Sequence, residues 1–459
     1  MGPACDNEET LRKMMENGMN VARFNFSHGS YEEHLGRYNR VVKVRDELKL
    51  PVATLFDSKG PEIRFRLFEG GKVTINDGDL FTLTTKEVLG NNTIGSISYK
   101  NLINDVQIGT SILVNDGLIE LKVEKVYDTD IVCRVINGGV ISDRKAINVP
   151  GVHLSLPFLS DVDRRDLEFA MKTGFDFFAL SFVRCAEDVL EVRRLQKEHN
   201  NTSKLIAKIE SQEGVENLDA IIDVADGIMV ARGDMGVEIP FEKVPVVQKD
   251  MISKCLKSGK FVIVATQMLE SMTHNPRPTR AEVNDVANAI FDQTSAVMLS
   301  GESAAGDYPV EAVKTMSRIC HEIEKTTTTG KFEITYNGSN LASSIACAAC
   351  SIASVINADA IIPVSLSGST IRKVSGFRPN INIIGCSTNE RVCCETSLMW
   401  GVTPVLITEQ EDGEALINEV INKCKTAGVI KSGNRVVIVA GFPLRIAGAT
   451  NMIRVVDVD

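Results

Sequence analysis

Lys208 and Glu210 stand two residues apart in Leu205-Ile206-Ala207-Lys208-Ile209-Glu210-Ser211, at the end of an apolar run. Alternate residues of a strand share a face, so an ammonium and a carboxylate project together from that end. Buried charges of this kind are costly unless they pair with each other or with a bound charged group. Taken alone, the pair also admits the plainer reading of a structural ion pair. A second run, Met229-Val230-Ala231-Arg232-Gly233-Asp234-Met235-Gly236, adds Asp234 at the end of the next strand. Two carboxylates at neighbouring strand ends repel unless a cation lies between them. Neither segment contains His or Cys, and an oxygen-only donor set suits Mg2+ (or Mn2+) better than zinc. Gly233 and Gly236 let backbone N–H groups approach an anion closely.

Other apolar runs end in the same way. Arg23, Asn25, Ser27 and His28 alternate along Asn20–His28, and Asp57, Ser58 and Lys59 close Val52–Gly60, with Glu62 and Arg64 beyond. Thr266 and Gln267 end Phe261–Met268, while Ser300 and Glu302 end Ser295–Ser303. Any one of these could be a plain loop residue, and His28 by itself reads as structural. Together they surround one cavity with cations and a metal site. Such a cavity suits a phosphorylated substrate, because phosphoryl transfer depends mainly on positioning and charge neutralisation.

The elements that must hold these residues follow from the pattern. With Asp176–Val183, Lys204–Ser211 and Gly227–Gly236, seven β-branched runs alternate with amphipathic helical segments, which indicates a parallel sheet buried on both faces. Chemistry gathered at the C-terminal ends of the strands resembles a (β/α)8 barrel. Residues 61–152 differ. Short alternating runs (Lys72–Ile75, Ile112–Val114, Ile119–Val126) are separated by turns such as Asn76-Asp77-Gly78-Asp79, the texture of a small inserted β domain. Helical patterning returns at Ser160-Asp161, either of which can cap a helix. The polar stretch Thr326–Gly330 reads as a linker. Beyond it, a helical segment over 340–356 precedes strands at Asp359–Val364, Asn382–Ser387, Pro404–Thr408 and Arg435–Gly441, as in a doubly wound α/β domain. The expected domains are therefore a discontinuous barrel (1–60 and 153–325), an inserted lid (61–152) and a C-terminal α/β domain (335–459).

Bulk properties narrow the classes. A net charge of −10 over 459 residues argues against nucleic-acid binding, which depends on Lys and Arg neutralising phosphates. No run approaches the roughly 18 apolar residues of a membrane span, and the first residues lack the basic and apolar sections of a signal peptide. Eleven cysteines at irregular spacing suggest a reducing, cytoplasmic setting. Cys347 and Cys350 have no second pair nearby, so helix packing is expected rather than zinc.

Seven blocks, in order and spacing, resemble pyruvate kinases: Asn20–Gly29 (NVARFNFSHG), Asp57–Arg64 (DSKGPEIR), Leu205–Val215 (LIAKIESQEGV), Met229–Ile239 (MVARGDMGVEI), Ala265–Met272 (ATQMLESM), Pro276–Ala289 (PRPTRAEVNDVANA) and Leu299–Pro309 (LSGESAAGDYP). The resemblance implies transfer of the phosphoryl group of phosphoenolpyruvate to ADP, giving pyruvate and ATP. It makes Lys208 the stabiliser of the phosphoryl group and of the enolate, with Arg23 near the substrate phosphate. Ala231, Arg232 and Gly233, with Asp234, would hold the substrate carboxylate, and Thr266 would face the methylene, with Ser300 and Glu302 behind it. Glu210 and Asp234 would take the divalent metal, and Asn25, Ser27, Asp57 and Ser58 a K+ ion. Arg64 and Lys145, with Asn25 and His28, match nucleotide contacts. Glu62 resembles the potassium-using branch, in which Lys at this place would supply the charge internally; Phe65 departs from the small polar residue often found there. Ser365, Ser367, Gly368, Ser369 and Thr370 are similar to the family's effector phosphate loop, with a sugar phosphate, AMP or no effector as the alternatives. Leu366 and Phe442 replace a frequent Lys and Trp. A homotetramer is usual in the family.

Ahead of Gly2-Pro3-Ala4 the family has a strand of the Thr-Lys-Ile-Val-Cys-Thr-Ile type. Without it, seven barrel strands and two unpaired edges are expected. Two other readings stand beside this one: a lyase or aldolase sharing the enolate and metal site, and a non-catalytic sensor of phosphometabolites.

Overall fold

In the computed structural model, which describes residues 1–326, 340–444, 446 and 449–459, seven short strands alternate with helices along the first two-thirds of the chain. They are β1 (Val21–Asn25), β2 (Ala53–Asp57), β3 (Phe177–Leu180), β4 (Lys204–Ile209), β5 (Gly227–Ala231), β6 (Phe261–Ala265) and β7 (Ala296–Val297). One sheet carries them in sequence order, with seven strands among the described residues. β4 pairs in parallel with β5, Lys208 beside Met229, and β6 with β7. Every residue of β2, β3, β5 and β6 is buried, the mark of strands covered on both faces. This is the strand–helix barrel that the sequence implies. The last strand is shorter than its apolar run, because Gly301–Ala304 already forms a helical turn.

The helices begin where the sequence provides caps. Ser30 accepts from the Glu33 N–H while Glu33 reaches back to Ser30, and Thr279 and Glu282 do the same for Arg280–Phe291. These boxes satisfy N–H groups that a helix start leaves without partners. At the edge strand β1, the chain's first amino group donates to Arg23 O at 2.6 Å, so part of that edge is covered.

Two compact units divide the chain: Met1–Phe56, Thr173–Phe178 and Ile252–Asp459 form the first, Asp57–Lys172 and Ala179–Met251 the second. The second holds a seven-stranded, mainly antiparallel sheet whose order runs Ile63–Arg64, Ala146–Asn148, Ser111–Val114, Ile119–Val126, Asp130–Asn137, Leu80–Thr84, Ile94–Ser96. Alternation in Ile119–Val126 sends Ile119, Leu121 and Val123 inward, onto a core that includes Phe65, Phe81 and Ile112. Phe65 is thus a core aromatic, 5.4 Å from the Phe68 ring and 6.1 Å from Phe81. Its departure from a small polar residue serves packing.

Within the first unit, the C-terminal region forms a five-stranded sheet. Its strands are β8 (Ala360–Pro363), β9 (Asn382–Ser387), β10 (Val402–Leu406), β11 (Arg435–Gly441) and β12 (Thr450–Asp457), in the order β10-β9-β8-β11-β12. The first four are parallel and β12 is antiparallel to β11. Cys347 and Cys350 lie on the helix Leu341–Val355, where Cys350 is fully buried against Ile361 and Val374. They pack as small residues. Of the expected linker, Thr326 ends the helix Pro309–Thr326; Thr327–Gly330 and the expected domain start at 335 lie outside the described residues.

Candidate active site

Within the second unit, the residues at the ends of β2, β3 and β4 meet in a buried cluster. Lys208 Nζ lies 3.0 Å from Glu210 Oε1 and 3.1 Å from Asp57 Oδ1, and both carboxylate side chains are almost wholly buried. It also donates to Ser181 Oγ at 2.7 Å. The alternation inferred from the sequence therefore does place Lys208 and Glu210 together. Their proximity offsets the cost of burying each charge, since an unpaired ion there would lose several kcal/mol, of order 3–5.

Phe182 supplies another contact. Its N–H donates to Glu210 Oε2 at 2.5 Å, and its φ of 55° lies in the left-handed region, rare for a bulky side chain. The strained turn aims that N–H at the carboxylate; strain of this kind gathers at functional sites. Burial pushes the Glu210 carboxyl up to about 7, against the pull of Lys208, with Asp234 and Asp57 adding to the rise. Asp234 sits one turn beyond β5, in the helix Arg232–Glu238, whose N-cap Ala231 has no side chain to satisfy the first N–H groups. A helix start and a carboxylate thus meet at one strand end, an arrangement that suits an anion held beside a cation.

Glu210 and Asp234 fit a hard divalent cation: both offer only oxygen, and each acts on the other's charge state. Among the described residues no group of three or more His, Cys, Asp or Glu side chains forms a metal cage. The two carboxylates would leave remaining positions for water and substrate oxygens.

A cavity of about 310 Å3 in the same unit is lined by Glu62, Asp116, Asn148, Phe182, Asp234 and Glu238. Burial raises the pKa of Glu238, and the Asn148 amide, donating at 2.9 Å, offsets part of that rise. Beside it, Ile63–Arg64 pairs antiparallel with Ala146–Asn148, placing Arg64 opposite Ala146, next to Lys145. The two residues expected to contact nucleotide are therefore neighbours at the base of the β sheet. Arg64 is held by Glu62, with N–O distances of 2.6 and 2.8 Å, and donates to Arg144 O at 2.9 Å. Glu62, read from the sequence as a cation determinant, thus also positions an arginine.

The remaining sequence candidates lie in the first unit. Arg23 and Asn25 are on β1, and Ser27 and His28 follow it. The Ser27 N–H donates to Asn25 Oδ1 at 3.0 Å, and His28 offers its carbonyl to His34 Nε2 at 2.8 Å. Thr266 and Gln267, just past β6, have φ of 67° and 53°, a second strained strand end. Glu302 is fully buried and accepts from the N–H groups of Leu269 (3.1 Å) and Ser300 (2.7 Å). It fastens two strand ends of this unit together.

Two residues of the cluster escape the sequence reading: Ser181 and Phe182. Both lie within the apolar run Asp176–Val183, and for Ser181 the signal is the one used elsewhere, a polar residue near the end of such a run.

In the C-terminal region, Gly368 (φ 76°) turns the chain into the helix Ser369–Gly376. The hydroxyls of the loop are partly engaged: Thr370 Oγ1 lies 2.7 Å from Thr450 Oγ1, and Ser365 Oγ accepts from the Thr370 N–H at 3.4 Å. A cavity of about 70 Å3 adjoins the loop, and among the described residues its lining includes Glu409 and Gln410 but neither Lys nor Arg.

The chain matches two family models, the pyruvate kinase barrel domain over residues 1–313 and the pyruvate kinase alpha/beta domain over residues 343–456. It belongs to the pyruvate kinase family. Over 460 aligned residues it is 45% identical to the pyruvate kinase of Clostridium acetobutylicum, covering 99% of this chain and 97% of that one. Identity is also 45% to the pyruvate kinase of Staphylococcus aureus strain MRSA252, with 99% and 79% covered. The crystal structure of a pyruvate kinase from Cryptosporidium parvum superposes with a TM-score of 0.93 at 38% identity, covering 100% of this chain and 95% of that one. The chain is accordingly an enzyme, and the lyase reading is set aside. No helix among the described residues is long and apolar enough to cross a membrane.

Proposed function

We propose that this enzyme transfers the phosphoryl group of phosphoenolpyruvate to ADP, yielding pyruvate and ATP as the last step of glycolysis, in the cytoplasm and as a homotetramer. The observation that carries the reading is the buried contact of Lys208 with Asp57 and Glu210 at 3.1 and 3.0 Å. An ammonium held at these strand ends meets the negative charge of a phosphoryl group in transit once bound cations draw on its two carboxylate partners. Arg23 adds a second cation near the phosphate, and the N–H groups at Ala231–Gly233 face the substrate carboxylate. Arg64 and Lys145, neighbours through the pairing of Ile63–Arg64 with Ala146–Asn148, take the nucleotide phosphates, a role that Asn25 and His28 share. Thr266, backed by Ser300 and Glu302, stands near the methylene that gains a proton.

Glu210 and Asp234 would hold Mg2+, and Asn25, Ser27, Asp57 and Ser58 would hold K+. The cations, when bound, neutralise the charge crowded between the two phosphates and the enolate. Residues 61–152 act as a lid over this chemistry and exclude water, which protects a reactive phosphoryl donor from hydrolysis. For the C-terminal loop the candidates remain a sugar phosphate, AMP or no effector at all.

The test is pyruvate formation from phosphoenolpyruvate and ADP with Mg2+, in K+ and again with only a bulky organic cation. Activity that needs K+ supports the whole reading. Activity indifferent to K+ removes the monovalent site, and none in a folded sample removes the reaction and leaves a sensor.

A further inference from the structure

Each N–H bond of the Lys208 ammonium has an acceptor within reach: Ser181 Oγ at 2.7 Å, Glu210 Oε1 at 3.0 Å and Asp57 Oδ1 at 3.1 Å. Two of these are carboxylates which, on the phosphoryl-transfer reading above, are shared with cations in the loaded site. A cation attracts a carboxylate oxygen and repels an ammonium, so loading weakens both ion pairs at once. The serine hydroxyl is the neutral partner and the closest.

Ser181 is itself fixed. Its hydroxyl donates to Ser58 O at 2.6 Å, and its N–H donates to Ser58 Oγ at 3.0 Å. With the hydroxyl proton directed at the Ser58 carbonyl, an oxygen lone pair is left to accept from Lys208. The serine is 2% exposed. It is also walled in: a Cβ added at Gly60 would come within 2.8 Å of Ser181 Cβ. A residue so held has one role available that an ordinary core serine lacks.

We infer that Ser181 is a positioning residue for the reaction, keeping Lys208 aimed at the transferring group once cations draw on Glu210 and Asp57. It touches no substrate and acts through the lysine. This inference rests on the phosphoryl-transfer reading, and wild-type turnover tests that reading separately.

The experiment compares wild type, Ser181→Ala, Ser181→Cys and Lys208→Ala, alone and with Ser181→Ala. In Ser181→Ala, kcat is expected to fall about 100-fold, the size of effect a misplacement near 1 Å produces, with KM for phosphoenolpyruvate changed less than about threefold. Ser181→Cys keeps a weak acceptor of similar shape and is expected to lose about tenfold; it carries the same test if the alanine variant does not fold. In the Lys208→Ala background, removing the hydroxyl is expected to change kcat by less than about twofold, because the group it acts through is gone. Binding of Mn2+ alone, followed by electron paramagnetic resonance, is expected to weaken about threefold in Ser181→Ala, since Lys208 then leans harder on Glu210. Inactive wild type overturns the reaction itself. Active wild type with a Ser181→Ala kcat within threefold of it, an equal loss in both backgrounds, or unchanged Mn2+ binding overturns the inference.

Discussion

The cluster at Lys208 and the loop Ser365–Thr370 both look like anion sites in the sequence, yet they are built in opposite ways. At Lys208, opposite charges are buried within about 3 Å of each other and a strained N–H is aimed at one of them. At the loop, Thr370 pairs with the Thr450 hydroxyl, and among the described residues no cation lines the adjoining cavity. The first arrangement stores electrostatic potential that a ligand can use; the second leaves little to release on binding. Charge held in place, more than polar composition, separates a site made for chemistry from one that only accommodates.

Breaking the first site should give the largest effect. Lys208→Ala is expected to lower kcat about a thousandfold, as removal of a preorganised donor does. It also leaves two buried carboxylates without their partner, so stability at neutral pH should fall by about 3 kcal/mol; steady-state kinetics and thermal unfolding measure the two losses. A Lys208→Ala enzyme with near-normal kcat would erase the contrast.

A proton competes with the metal at the same place. The Glu210 carboxyl has its pKa raised from 4.5 to about 7, so the folded state holds that proton more tightly than the unfolded one. This group's contribution to stability is therefore greatest below pH 4.5 and declines as pH rises to about 7. Mg2+ needs the ionised form. Its stabilisation of the protein, read as a shift in Tm, should be small at pH 6, grow towards pH 8 and disappear in Glu210→Gln.

Glu62→Lys sharpens the picture at the edge of the cleft. It should relieve most of the K+ requirement while releasing Arg64, so that KM for ADP rises about fivefold with the loss of a charge-assisted pair. Rates with and without K+ at varied ADP separate the two consequences. The smallest effect belongs to the loop. Thr370→Val breaks the hydroxyl pair with Thr450, and should cost about 1 kcal/mol of stability. Activity without effector should stay within twofold of wild type.

Much of this was legible in the sequence because strands buried on both faces tolerate polar residues mainly at their ends. Lys208, Glu210 and Asp57 stood out for that reason, and the periodicity of Ile119–Val126 revealed its inward face. Ser181 was not assigned a role, since a serine after an apolar run has no charge to mark it and its importance comes from neighbours distant in sequence. The strand Thr450–Asp457 was also missed. It is largely exposed and pairs antiparallel at a sheet edge, so the continuous burial that marks parallel strands is absent. Pro404–Thr408 lies two residues late for a related reason: β10 is an edge strand in which Val405 alone is buried.

The antiparallel pairing of Ile63–Arg64 with Ala146–Asn148 has a consequence for the ancestry of the fold. The chain leaves for the β sheet and returns from it through adjacent strands, so the entire excursion is spliced in at a single point. A host can acquire, enlarge or lose such a module without rerouting its own backbone, because a tight turn would join the same two ends. Exchange of this segment for a shorter or longer one is thus among the least disruptive changes open to the lineage, and variation in length among relatives should gather there.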